Sequence, residues 1–186
     1  MTANTNNLNS NKSLKEINRV RWITITALFL GLTIATSSFG IPVPGGHLYL
    51  VDTVICTAAL LLDPLAAFVV GGIGSFLGDM IFYPAPMFVS LVTHGLQAVV
   101  IALIVKNVKL SSGKKYFTAS LIATIIGMFI MVIGYTLGKI FVYSNLETAI
   151  LKLPYEFAQG GLGVIGSLLL CFKGGLIKIF RRMELN

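Results

Sequence analysis

Charge is scarce in this chain. Asp, Glu, Lys and Arg make up 11% of its 186 residues, against 55% hydrophobic residues and a mean hydropathy of +0.86. A soluble domain of this length has too little interior to hide so much apolar surface. Histidine and cysteine are scarcer still, two of each. Cys56 and Cys171 lie in separate apolar stretches with no C-x-x-C and no His beside them, which leaves them as free core thiols and argues against a metal cage. The chain also lacks H-E-x-x-H, G-x-S-x-G and the Walker G-x-x-x-x-G-K-[ST], so neither a hydrolase nor an ATPase is expected, and no cofactor. Nor is there an apolar h-region in MTANTNNLNSNKSLKE, which excludes a signal peptide and predicts a polar tail over residues 1–20.

What is present is length without charge. Runs such as 22–39 and 117–138 hold no charged residue, and each approaches the roughly 20 residues a helix needs to cross the hydrocarbon core. Spans are predicted near 22–39, 48–62, 65–82, 87–105, 117–142 and 154–172, the second of them short. The breaks have local causes: Pro42, Pro44, Gly45 and Gly46; then Asp63-Pro64; then Pro84 and Pro86; then the Lys-rich VKNVKLSSGKKY; then YSNLETAILKLP. The fold class is therefore an all-α integral membrane protein with six transmembrane helices in one bundle. Its domain covers 21–182, between the N-terminal tail and a short C-terminal tail at 183–186.

Twelve of the fourteen Lys and Arg residues fall in three clusters: Lys12, Lys15, Arg19 and Arg21; Lys106, Lys109, Lys114 and Lys115; Lys173, Lys178, Arg181 and Arg182. Six spans put all three on one face, and the positive-inside rule makes that face cytoplasmic. This accounts for the net charge of +7 without a nucleic-acid partner. Both termini are then cytoplasmic, and the loops 40–47, 83–86 and 143–153 face out.

Polar groups within a bilayer are costly unless they face a partner or a cavity. Here they gather at one depth. Asp79 and Tyr83 end the third span; Ser90, His94 and Gln97 share a face of the fourth at i, i+4, i+7; Tyr135 lies near the outer end of the fifth with Lys139; Glu156 and Gln159 open the sixth. Four helices thus bring polar groups to the outer half, as a pocket for a small solute requires, while Ile, Leu, Val, Ala and Gly fill the inner halves. Local readings compete for each residue. Asp79 can bond backbone groups at a helix end, His94 can be a satisfied interhelical histidine, and Glu156, just after Pro154, can complement a helix N-terminus. Tyr49, Tyr143, Tyr155 and Trp22 suit an interfacial belt, and His47 in PVPGGHLYL stays undecided.

Gly161, Gly163 and Gly166 have the G-x-G-x-x-G spacing of a dinucleotide turn. They lie inside an apolar span with no strand before them, so close helix packing is the better reading. Gly71, Gly72, Gly74 and Gly78 in the third span point the same way.

A six-span chain of this size, with a small-residue ladder in its first helix, an outer polar pocket and no energy module, resembles the substrate-binding S components of energy-coupling factor (ECF) vitamin transporters over about residues 20–180. GDMIFYPAPMFVSLVTHGLQAVVIAL, residues 78–103, is similar to the third-to-fourth span segment of members for riboflavin, pantothenate, hydroxymethylpyrimidine or vitamin B6, and PYEFAQGGLGV resembles the start of their sixth helix. ALFLGLTIA matches the family's A-x-x-x-A docking stretch through Ala27, Gly31 and Ala35, with Gly in place of the middle Ala. The resemblance implies a bacterial multi-pass protein that captures a vitamin outside and delivers it with a T component and two cytoplasmic ATPases. The pocket residues suit a neutral ring with hydroxyl and amine groups, a pyrimidine or pyridine precursor; pantothenate would need a cation, for which Lys139 or Lys152 can serve. Two other classes remain: a proton-coupled secondary transporter using Asp79 and Glu156, against which stand the absent internal repeat and the apolar inner halves, and a membrane enzyme or assembly protein.

Overall fold

A computed structural model describes residues 19–106, 108 and 113–185. The expected N-terminal tail up to residue 18 and the centre of the Lys-rich loop lie outside the described residues. Seven helices and a small hairpin follow in order: α1 Arg19–Ser37, β1 Ile41–Val43, β2 Gly46–Leu48, α2 Val51–Leu61, α3 Pro64–Phe82, α4 Met87–Lys106, α5 Gly113–Tyr143, α6 Leu146–Lys173 and α7 Leu176–Leu185. Five of them (α1, α3, α4, α5 and α6) are long and apolar enough to cross a membrane, and α2 is a shorter apolar helix. The result is an all-α membrane bundle of about six helices.

The short helix is the centre of the bundle. With 11 residues α2 rises only about 16 Å, yet nearly all its side chains are buried, because α1, α4 and α6 pack around it. Its core residues Ile55, Ala58, Ala59 and Leu60 share one apolar cluster with Ala66, Ala67, Val70, Ala98 and Ile101. Small residues permit this closeness. A Cβ added at Gly71 would stand 2.7 Å from the carbonyl oxygen of His94, so α3 and α4 touch backbone to backbone where α3 widens into a π turn over Val69–Ile73.

The basic end is tied by side chains. Trp22 Nε1 donates to Asp63, whose Oδ1 caps α3 by accepting from Leu65 N at 3.1 Å and Ala66 N at 3.4 Å. Trp22 is thus part of an inter-helix joint rather than a simple belt residue. Tyr116 Oη donates to the Leu60 carbonyl, and Arg21 donates to the Met183 carbonyl at 2.9 Å. The α7 helix continues to Leu185, past the expected boundary at 182, with Ile177 and Phe180 buried in the core. The halves towards this basic end are not wholly apolar: Thr57, Ser120 and Thr124 are buried there. The two threonine hydroxyls donate to carbonyls four residues earlier in their own helices, which uses up their polarity locally.

At the other end two expectations change. The stretch 41–48 forms an antiparallel hairpin pairing Ile41 with Leu48 and Val43 with Gly46. Its turn demands Gly45 (φ 80) and Gly46 (φ 147), conformations open to glycine. The sixth helix begins at Leu146, not at Pro154, because Asn145 caps it by accepting from Thr148 N at 2.8 Å. Pro154 sits inside the helix, where its missing N–H leaves the Ile150 carbonyl without its usual partner. Ile150 is exposed near the end of the bundle. The loop expected at 143–153 therefore shrinks to Ser144 and Asn145.

Candidate functional site

Beneath the hairpin lies a partly enclosed cavity lined by polar and aromatic side chains. Ser75 and Asp79 line it from α3 and Tyr83 from just past its end, His94 from α4, Tyr135, Lys139 and Tyr143 from α5, and Lys152, Glu156 and Gln159 from α6; Gly45, Gly46, His47 and Tyr49 form its roof. Of the nine residues expected at the site, seven line this cavity: His47, Asp79, Tyr83, His94, Tyr135, Glu156 and Gln159. Ser90 and Gln97 stand behind the wall, both fully buried, and act on it through hydrogen bonds.

Each does so by a distinct route. The Ser90 hydroxyl donates to Asp79 Oδ2 and, having given its one proton, accepts from Tyr135 Oη at 2.5 Å. Asp79 therefore engages a side chain on another helix, not the backbone at its own helix end. Tyr135 also meets the His94 ring edge-on, with centroids 5.2 Å apart. Gln97 takes His94 Nδ1 at 2.7 Å through Oε1, while its Nε2 donates to Asp52 Oδ1 at 2.9 Å. Gln159 donates to the other oxygen, Asp52 Oδ2, at 2.7 Å and accepts from Tyr49 N at 3.0 Å. His94 is thus both an interhelical partner and a cavity residue.

Glu156 departs most from expectation. It lies about three turns into α6, too far to complement the helix N-terminus, and forms a buried ion pair with Lys139 while accepting from Thr136 Oγ1 at 3.2 Å. Lys139 is thereby occupied, and among the described residues lining the cavity Lys152 is the lysine left for an anionic ligand, its ammonium beside the Gly46 turn. Tyr49 and Tyr143, expected in an interfacial belt, line the cavity instead. Burial, and to a lesser degree the nearby Asp79, push the Tyr49 phenol up to about 12, so it stays a neutral hydrogen-bond donor.

Sequence reasoning missed Asp52 and Ser75. Asp52 is 1% exposed and joins α2 to α4 and α6. Its signal was available: a lone acid at the head of the apolar run VDTVICTAALLL. Ser75 lines the cavity with a buried hydroxyl that has no hydrogen-bond partner, and His47 Nδ1 is in the same state. Both can bond a small molecule in the cavity. Among the described residues no group of three or more His, Cys, Asp or Glu is placed to hold a metal ion.

The glycine question also resolves. A Cβ at Gly163 would meet the Asp52 Cβ at 2.7 Å, and at Gly166 the Thr53 side chain at 2.7 Å, whereas Gly161 has nothing within 4 Å. Two of the three serve the seam between α2 and α6. Gly160 is tight as well, against Met128 Cγ.

Residues 17–174 match the family described as ECF-type riboflavin transporter, S component. A protein of Pyrococcus woesei, described as an uncharacterized protein in the gap 3' region, is 33% identical over 136 residues, covering 72% of this chain and 87% of that protein.

Proposed function

The chain belongs to the family of ECF-type riboflavin transporter S components, the vitamin-binding substrate subunits of ECF transporters, and on that premise we propose that its cavity captures a small ring vitamin or precursor of the hydroxymethylpyrimidine or vitamin B6 kind. The observation that carries this reading is the convergence of two acids, a histidine, one amide and tyrosines from α3, α4, α5 and α6 under one hairpin, at the end of the bundle away from the basic clusters. Amides and carboxylates bond the edges of a substituted ring while tyrosines cover its faces. Riboflavin is the second reading, favoured by the description of the matching family. Pantothenate, whose carboxylate wants a cation, would depend on Lys152, since Glu156 already engages Lys139.

Around this site the rest of the reading falls into place as proposals. The domain at 21–182 lies in the cell membrane with both termini cytoplasmic, a T component docks on Ala27, Gly31 and Ala35, and two ATPases drive release. In support, those three positions are exposed and nothing lies within 4 Å of a Cβ at Gly31, so the face is open to a neighbouring helix. The protein acts as a transport subunit, not as an enzyme.

The test is titration of the purified protein with hydroxymethylpyrimidine, pyridoxine, riboflavin and pantothenate. Tight binding of one of the first two is expected; binding of riboflavin alone transfers the assignment to the second reading. Liposomes carrying this chain alone should not accumulate the ligand. Accumulation driven by a proton gradient would replace the S-component mechanism with secondary transport.

A further inference from the structure

Hydrogen-bond direction can be followed along one continuous chain of groups because it starts from an unambiguous donor. The Tyr49 backbone N–H can only donate, and it donates to Gln159 Oε1 at 3.0 Å. The amide nitrogen of Gln159 then lies on the opposite side and donates to Asp52 Oδ2 at 2.7 Å. The second carboxylate oxygen accepts from Gln97 Nε2 at 2.9 Å, and that nitrogen also meets Cys56 Sγ at 3.7 Å. An ionised carboxylate accepts and never donates, so Asp52 holds both amides in one sense. Gln97 Oε1 is left facing His94 Nδ1 at 2.7 Å. A carbonyl oxygen cannot donate, so the proton in that contact belongs to Nδ1. Asp52, His94 and Gln97 are each at most 2% exposed, so bulk water does not compete for these bonds.

We propose that Asp52 is the positioning residue of the site: it fixes His94 with its proton on Nδ1, so that the imidazole presents Nε2 to the cavity. In the neutral ring Nε2 is an acceptor. The ligand edge that meets it therefore carries an N–H or O–H donor. That last step rests on reading the cavity as the vitamin site; the proton assignment does not.

Asp52→Asn discriminates, because it keeps the shape and turns one acceptor oxygen into a donor nitrogen. Tyr49 N–H still claims Gln159 Oε1, so Gln159 still donates, and the new amide must turn its oxygen towards it. Its nitrogen then faces Gln97, whose amide inverts and donates to His94 Nδ1, moving the ring proton to Nε2. The chain has two histidines, so nitrogen NMR of the imidazoles in the ligand-free protein, with His47→Gln as the assignment control, reads the tautomer directly at the neutral-ring plateau. The wild type is expected to carry the proton on Nδ1 and Asp52→Asn on Nε2. A wild-type ring protonated at Nε2, one doubly protonated throughout, or the Nδ1 form in both proteins overturns the proposal. Should Asp52→Asn fail to fold, Gln97→Met leaves His94 Nδ1 facing Asp52 Oδ1 from 3.9 Å and is expected to keep the Nδ1 form, and a ring protonated at Nε2 there overturns the proposal equally. In parallel, riboflavin, hydroxymethylpyrimidine and pyridoxine are titrated into both proteins. Whichever the wild type binds should lose about tenfold to a hundredfold in affinity with Asp52→Asn, and unchanged affinity removes Asp52 from the site. The expected tautomers with no vitamin bound by the wild type would support the proton assignment while sinking the vitamin reading.

Discussion

Lys139 and Glu156 form an ion pair inside the bundle, each side chain 2% exposed. The ammonium also stands 5.5 Å from the centre of the Tyr135 ring and 5.9 Å from that of Tyr143, within cation–π range. Two charges at this depth are tolerated because each neutralises the other, and the wall of the cavity keeps its polarity without a net charge from this corner.

Removing either partner should therefore cost far more than removing both. Lys139→Met and Glu156→Leu alone are each expected to destabilise by about 3–5 kcal/mol, with the double variant recovering most of the loss. Thermal unfolding of the detergent-solubilised proteins reads this. A double variant no more stable than either single one would show that the pair is not the unit of stability.

The glycines make a paired prediction. Gly161→Ala meets open space and should be neutral or stabilising by up to about 1 kcal/mol, since alanine suits a helix better. Gly163→Ala places its methyl 2.7 Å from the Asp52 Cβ, and should cost about 1–3 kcal/mol through overpacking. Equal melting temperatures for the two variants would mean that the α2–α6 seam yields without strain.

Ser75 offers the opposite signature from a core residue. Its buried hydroxyl has no partner, so Ser75→Ala should leave stability unchanged or slightly raised, because a desolvated unpaired group is removed. If the hydroxyl meets the ligand, affinity should fall by about tenfold. Calorimetric titration beside a melting curve separates the effects, and unchanged affinity would leave Ser75 outside the bound contact set.

The bundle was legible because apolar run length and proline or glycine breaks are local signals; α3 and α4 came within a residue or two of 65–82 and 87–105. The start of α6 was not, since Pro154 reads as a boundary while the cap that decides it is the single side chain of Asn145. Depth sorting placed seven site residues on one cavity, because polar groups in an apolar span have few other places to go. It could not separate wall from backing: Gln97 lies on the same helical face as His94, and which of them meets the cavity depends on where α2 brings Asp52. Asp52 is hard to read because it stands in the first turn of the short helix, where an acid has an ordinary role at the helix N-terminus. Lys139 and Glu156 each appeared as a separate polar residue; their pairing is a tertiary fact that no spacing within either helix encodes.

Orientation rests on the three basic clusters and is testable without a ligand. In a background with Cys56→Ala and Cys171→Ala, single cysteines introduced by Ser112→Cys and Asn145→Cys should react with an impermeant thiol reagent from opposite sides of the membrane. Asn145 caps α6 two residues after Tyr143, which lines the cavity, and should label from outside in intact cells; labelling of both positions from outside would break the six-span topology.

The last prediction separates capture from coupling. Ala27, Gly31 and Ala35 lie on an exposed face of α1, whereas α1 contributes to the cavity through Ser37 at its end. Gly31→Leu adds a bulky side chain where nothing stands within 4 Å, so the isolated protein should fold and bind its vitamin with affinity changed by less than about threefold, or under 1 kcal/mol. A helix partner that approaches through small residues would meet that side chain directly, and close packing tolerates such an insertion poorly. Uptake by cells carrying the T component and ATPases should therefore collapse, and co-purification of the T component with Gly31→Leu should fall in parallel. Full uptake in the variant would place the docking face elsewhere on the bundle, while lost binding in the isolated protein would make α1 part of the cavity's support rather than its coupling surface.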